Sequence, residues 1–451
     1  MMKRWIIWRP LCSSRFKALC NNQLFGRLRA AFLQDEGGRV KELTGRKMVL
    51  GLQHVLAMFG ATVLVPFLTG MHPALAILAA GVGTLLFHWC SRGIVPVFLG
   101  SSFAFIGAIG LTLANQGIGT VKSGIMAAGV VYMLMALVVK VFGVEKVKSF
   151  FPPIVTGPII MVIGLRLSPV ALGMIGYSYD AATSTGTFNL QSLAVAGMVV
   201  VTMIVCSIFA KGFFKLVPIL LAVLVGYLFS MIIGIVDFTK IQQAGWIGLP
   251  ADAWQDFITL PVFNWSGILA IAPIALVVFI EHIGDITTNG AVVGKDFFEN
   301  PGIHRTLLGD GVATLVAGLI GGPANTTYSE NTGVLAVTKV YDPKILRIAA
   351  VYAIIISFIG KFGATIQSIP VPVMGGVSVI LFGMIASVGV RTLIDAKLDF
   401  AHSRNLIIGS LILVLGIAID NVHLTSTLSI SGLAIAALVG VVLHKVLPQD
   451  I

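Results

Sequence analysis

The chain has 451 residues, 57% of them hydrophobic and 11% charged, with a mean hydropathy of +0.97. Soluble domains carry about 25% charged residues, so this composition excludes a soluble globular protein and points to a polytopic membrane protein. The net charge of +11 is no sign of nucleic acid, because residues 1–47 alone carry eight of those charges, and a basic segment beside a membrane marks its cytoplasmic side.

Residues 1–47 therefore read as a basic cytoplasmic tail, to which no function is assigned. The "WIIW" within it is too short for a signal-peptide core. The four cysteines (Cys12, Cys20, Cys90 and Cys206) show no CxxC spacing, so neither a disulfide framework nor a metal site is expected.

A spanning helix needs about 20 apolar residues. Breaks at charged or Gly/Pro/Asn-rich points leave fourteen candidates. The first two, 48–69 and 74–91, read as plain helices. The third, 96–114, contains "FLGSSFAFIG", whose small and polar residues suit a short extended stretch. The fourth is 122–142, and the fifth to seventh are 152–176, 191–210 and 213–236. The eighth, 263–290, carries "VVFIEHIGD", and the ninth is 305–322. The tenth, 325–340, is interrupted by "NTTYSENTG" and again reads as extended before a helix. The eleventh is 345–366, and the last three are 370–390, 404–419 and 428–446. With fourteen alternating crossings, 26 of the 30 Lys and Arg fall on the side of the N-terminus. Lys122, Lys240 and Lys361 fall opposite, and Arg166 lies within a span. Basic loops face the cytoplasm, which places both termini there.

Three stretches of the first half recur in the second in chain order. Gln53-His54 matches Glu281-His282 at an offset of 228, Phe103 matches Ser329 at 226, and Pro153, Gly157 and Gly164 match Pro372, Gly376 and Gly383 at 219. Seven spans per half is an odd number, so the second half is inverted. Inverted repeats with paired broken helices signal a secondary transporter whose site lies near the membrane midplane.

Within the eighth stretch Glu281 and Asp285 are four residues apart and share one helix face. Ionisable groups at membrane depth are costly and normally face a polar cavity. His282 lies about 100° round the helix and need not face it. "EHIGD" lacks the HExxH order of a zincin helix, and no nucleophile–base pair is apparent, so an enzyme is not expected. Non-helical backbone at this depth is tolerated where it lines a cavity, which makes the freed amides around Phe103 and Ser329 donors at helix starts. Glu281 and Glu330 supply acceptors, and Phe103, Tyr328 and Phe382 supply flat apolar faces. A planar heterocycle with adjacent N–H and C=O groups answers all three, and uracil is one. A carboxyl group that moves between wet and dry surroundings takes up and releases a proton, which offers coupling to a proton gradient.

With "LQHVLAMFGATVLVP", "FLGSSFAF", "EHIGD", "PANTTYSENTGVLAVTKVY" and "IPVPVMGGVSVILFG", the chain resembles the nucleobase–cation symporter-2 (nucleobase–ascorbate transporter) family over about residues 48–446, and within it the bacterial uracil permeases. The resemblance implies an all-α polytopic protein of fourteen transmembrane segments in two inverted seven-segment repeats, with short strands in segments 3 and 10. It implies a core domain of 48–142 and 263–366, a gate domain of 152–236 and 370–446, and a homodimer working by elevator-like movement. It further implies that Glu281 and Glu330 bond the base, that the main-chain amides of Phe103 and Ser329 bind its carbonyls, and that Tyr328 shapes the pocket. Proton coupling would fall to Asp285, Glu281 and His282. The uracil-permease pattern has His at the position of Asp285, Gly at Ser329, Tyr at Phe382 and an acid at Arg166, and Asp at 285 also occurs in purine-transporting relatives. The expected function is thus import of uracil with protons across the cytoplasmic membrane, without a cofactor. Xanthine, urate or guanine symport, and more remotely anion exchange, are the alternatives.

Overall fold

A computed structural model describes residues 36–180, 183–419, 421–423 and 429–448. Most of the basic tail expected at 1–47 lies outside the described residues. The chain divides into a unit ending at Leu50 and a second, Gly51–Ile451. Helix α1 (Glu36–Thr69) is followed by α2 (Pro73–Cys90), whose first turn holds a proline where no amide hydrogen is needed. Strand β1 (Leu99–Ser101) passes through one 3₁₀ turn, Phe103–Phe105, into α3 (Ile106–Gln116), and α4 is Ile118–Phe142. Next come α5 (Pro153–Arg166), α6 (Ser168–Met174), the hairpin β2 (Tyr177–Asp180) and β3 (Thr185–Phe188), α7 (Leu190–Ile208) and α8 (Pro218–Ile232).

The second half begins with a short amphipathic helix α9 (Ala251–Ile258), then α10 (Trp265–Ile271), α11 (Ile274–Val293) and α12 (Ile303–Ile320). Strand β4 (Asn325–Thr327) leads into α13 (Ser329–Thr338), followed by α14 (Pro343–Ser357), α15 (Gly360–Gln367) and α16 (Val371–Asp395). The chain closes with α17 (Ser403–Ala418), β5 (Asn421–His423), β6 (Ser429–Ser431) and α18 (Gly432–Val446).

Among the described residues eight helices are long and apolar enough to cross a membrane, and α14 with α15, bent by 82°, makes a ninth if the pair is one span. The protein is a multi-pass membrane protein. Counting the bent pair, these helices fall in nine of the fourteen expected stretches, and the third, tenth and fourteenth hold a short strand followed by helix. The helices of the third, seventh, tenth, thirteenth and fourteenth are shorter than a full crossing. Hairpin β2–β3 and helix α9 fall where the sequence suggests only connecting loops.

Two sets of helices pack among themselves. In one, α12 lies against α4 and α2, and α14 lies against α2; in the other, α16 lies against α5 and α7, and α17 lies against α5 and α18. Both sets use facing glycines to bring backbones together. A Cβ added at Gly129 of α4 would sit 2.7 Å from the carbonyl oxygen of Gly311 in α12, and one at Gly157 of α5 would sit 3.0 Å from that of Gly389 in α16. Small residues at such crossings allow the close packing on which helix association in lipid depends.

The two broken segments meet. Strand β1 pairs antiparallel with β4, Leu99 opposite Thr327, Gly100 opposite Thr326 and Ser101 opposite Asn325. The ribbon is extended by the amide of Ser102 donating to the Ala324 carbonyl (2.8 Å) and that of Tyr328 to the Phe98 carbonyl (3.1 Å). It is fastened to its neighbours by side chains: the Thr84 hydroxyl accepts from the Leu99 amide (2.9 Å), the Thr314 hydroxyl donates to the Asn325 carbonyl (3.0 Å), and Asn325 Nδ2 donates to the Ala79 carbonyl (3.0 Å). Backbone with no helical partners is thus satisfied inside the protein, as membrane depth requires.

Candidate functional site

The ribbon hands over to two half-helices, one starting at Phe103 and one at Ser329. The first amides of a helix have no partner within it and carry the positive end of its dipole. Both starts border one cavity of about 470 Å³, and so do Glu281 and Asp285 of α11 and Glu330 of α13. Residues from opposite halves of the chain therefore share one chamber. Its apolar wall comes from Ile160 and Ile163 of α5, Met203 of α7, and Leu381 and Met384 of α16, and Ser207 and Lys215 also line it.

The carboxylates differ in their surroundings. Glu281 faces the chamber and has no hydrogen-bond partner among the described residues; Asp285, Glu330 and Asp310 are its charged neighbours. Glu330 follows directly on the helix start and reaches its own backbone amide. Asp285 is held on both oxygens: the Thr327 hydroxyl donates to Oδ2 at 2.7 Å, and the Ser329 hydroxyl donates to Oδ1 at 2.6 Å.

Tyr328 borders the chamber, and its hydroxyl donates to the Ser101 carbonyl (2.9 Å) across the ribbon and accepts from Thr62 (3.4 Å). Its ring occupies the space that a Cβ at Gly100 would need, which accounts for the glycine in "FLGSS". Two of the residues singled out from the sequence lie elsewhere. His282 is buried behind the site, with Nδ1 2.8 Å from Asp310 Oδ2 and Nε2 2.9 Å from Thr306 Oγ1. Phe382 is buried in the core and does not line the chamber. On α16 the cavity face runs through Leu381, Met384, Ile385 and Val388, and one residue past Leu381 is a turn of about 100° away from that line.

Several site residues escape sequence reasoning. Thr327 is one polar residue in a polar run, and nothing in its spacing marks it as a partner of Asp285. Asn331 donates to the His54 carbonyl (3.0 Å) and lies 3.1 Å from His54 Nδ1, tying α13 to α1. Asn289 donates to the Pro96 carbonyl (3.0 Å) and to Thr332 Oγ1 (3.1 Å), tying α11 to both broken segments. His54 carries the one available signal, as the repeat counterpart of His282. Among the described residues no group of three His, Cys, Asp or Glu side chains is arranged to hold a metal ion.

The family model for xanthine and uracil permeases, described as a permease family, matches residues 45–425. A uracil permease of Bacillus caldolyticus is 45% identical over 405 residues, spanning 90% of this chain and 92% of its own. The chain belongs to the nucleobase–cation symporter-2 permease family. This permease is a transporter and not an enzyme. It is also 41% identical to a uracil permease of Escherichia coli (strain K12) over 396 residues, 87% of this chain and 89% of that one. The fold of the permease is similar to that of the murine Solute Carrier 26 family member A9 anion transporter in the inward-facing state. The TM-score is 0.67 at 13% identity, covering 98% of this chain and 76% of that one. A likeness at that identity is one of fold alone.

Proposed function

We propose that this permease imports uracil together with protons across the cytoplasmic membrane. The observation that carries the reading is that Glu281 and Glu330, one on each side of the ribbon's second strand in sequence, open onto the same chamber as the helix starts at Phe103 and Ser329. Uracil has two N–H donors, two carbonyl acceptors and a flat face. The carboxylates accept from its N–H groups, the amides of Phe103 and Ser329 donate to its carbonyls, and the Phe103 and Tyr328 rings border its plane. The similarity to uracil permeases over nine-tenths of the chain supports that substrate.

The fourteen segments form two inverted repeats in this reading. The core domain comprises 48–142 and 263–366 and carries the site, and the gate domain comprises 152–236 and 370–446. The core moves elevator-like against the gate in a homodimer. Both termini are cytoplasmic in this reading. Protons exchange at Glu281, the carboxylate open to the chamber; His282, turned toward Asp310, supports the site from behind. Anion exchange is disfavoured despite the fold likeness to an anion transporter, because three carboxylates border the chamber and repel an anion.

Uptake of labelled uracil tests the proposal. Glu281→Gln and Glu330→Gln should each abolish uptake in protein that remains folded, and an uncoupler should collapse it. Transport retained in both variants removes this site, and stronger competition by xanthine or guanine than by unlabelled uracil replaces the substrate with a purine.

A further inference from the structure

Asp285 sits at the chamber wall, yet neither of its oxygens is free of a partner. Thr327 reaches it from the last residue of β4 and Ser329 from the first residue of α13, at 2.7 and 2.6 Å. The three side chains thus bracket Tyr328 and fix the junction where extended backbone becomes helix. Short O–H···O⁻ bonds of this kind are the strong, charge-assisted sort.

Counting protons decides which form of Asp285 this arrangement suits. A Thr or Ser hydroxyl has a single hydrogen, and an ionised carboxylate only accepts. Two hydroxyl donors and one ionised carboxylate therefore satisfy one another. A protonated Asp285 would keep some acceptor capacity but give up the full charge that makes these two bonds strong, so two hydroxyl donors favour the ionised form. The other titratable groups around Asp285 are Glu281 one turn earlier on α11, Glu330 on α13, His282 on α11, and Asp310 on α12, whose Oδ2 is bonded to His282. Glu281, by contrast, has no bond to lose when it gains a proton.

We propose that Thr327 and Ser329 are positioning residues that hold Asp285 as a standing anion, so that Asp285 aims the first amides of α13 into the chamber and leaves the transported proton to Glu281. The inference rests on the uracil-site reading. It adds Thr327 to the site and separates two carboxylates that share a helix face but differ in their bonds.

The test is equilibrium binding of labelled uracil to the purified full chain between pH 5 and 9. Losing one charge-assisted bond should weaken uracil binding about tenfold in Thr327→Val and in Ser329→Ala. Thr327→Ser, which keeps the hydroxyl, should bind like the wild type and covers the case in which the valine variant does not fold. In an Asp285→Asn background, adding Ser329→Ala should cost less than about twofold more, because the clamp is already open. Asp285→Asn itself should weaken binding while leaving its dependence on pH intact, whereas Glu281→Gln should flatten that dependence. The inference is overturned if Asp285→Asn flattens the pH dependence, or if Ser329→Ala and Thr327→Val bind as the wild type does. Unaltered binding in Glu281→Gln and Glu330→Gln together would instead overturn the uracil site itself.

Discussion

Lys122→Met removes one ammonium group and keeps a side chain of similar length. Lys122 lies in the second turn of α4, fully buried, and its Nζ donates to the carbonyls of Asp256 (2.7 Å), Phe257 (3.0 Å) and Thr259 (2.7 Å). These are the carbonyls at the C-terminal end of α9, which have no partner within their own helix and face the negative end of its dipole. A bond to a charged donor contributes about 1.5–3 kcal/mol where both partners are shielded. Asp256, Phe257 and Thr259 are only half-buried, so water can replace part of each bond, and about 1 kcal/mol apiece is the better figure, about 3 kcal/mol in all. That sum corresponds to roughly a hundredfold in a local opening equilibrium. Two amides report it: Thr259, which donates to the Gln255 carbonyl, and Val262, which donates to the Gly119 carbonyl at 2.9 Å. Hydrogen exchange at both should run about a hundredfold faster in the variant, with amides in α16 unchanged. Exchange within about threefold of the wild type would refute the assignment of Lys122 as the clamp of α9.

Two further outcomes follow from other contacts. His72, in the turn before α2, accepts from the Ala74 amide through Nδ1 (3.1 Å), with Nε2 3.4 Å from Asp252. Burial holds its pKa below the ordinary histidine value against the opposing pull of the Asp252 carboxylate, so its stabilising contribution is complete above about pH 6.5 and shrinks as the pH falls below that. His72→Asn keeps a capping acceptor but cannot titrate, so the protection of amides at the start of α2, measured against their intrinsic exchange rates, should cease to fall between pH 7 and 5; an unchanged slope sinks the assignment. Gly100→Ala drives a methyl group into the Tyr328 ring and to 2.8 Å from Thr62 Oγ1. Overpacking of this kind costs about 1–3 kcal/mol, and by displacing Tyr328 it should cut uracil uptake by about tenfold or more, which an uptake assay reads directly; uptake at wild-type level would show that the ring moves aside freely.

Much of the helical frame is legible from hydropathy, because lipid demands long apolar stretches and leaves little else to choose. The two broken segments are legible for the complementary reason: "GSSF" and "NTTYS" are too polar and too short on helix formers to continue a span, and in the structure a three-residue strand gives way to a helix start within each. What escaped the sequence are contacts that depend on direction. Lys122 opens the fourth apolar stretch and reads by charge as an outer-face residue, yet it is fully buried within α4, where three carbonyls at the end of α9 accept from it. Phe382 reads as a flat face for a ligand, but one residue's rotation on α16 turns it into the core. Thr327 lacks any local mark, since its partner is 42 residues earlier in the chain. Helix α9 is short, and its apolar face, including Trp254 and Phe257, resembles the hydrophobic runs around it.

The ribbon of Leu99–Ser101 and Asn325–Thr327 joins positions more than two hundred residues apart. During synthesis the earlier strand must enter the bilayer with its hydrogen-bonding edge bare and wait for its mate, a long-range closure of the slow kind. A ribosome halted after α8 would therefore leave a half-built protein whose exposed edge invites capture by another such fragment, so the interval before β4 emerges is when this permease has most need of a chaperone.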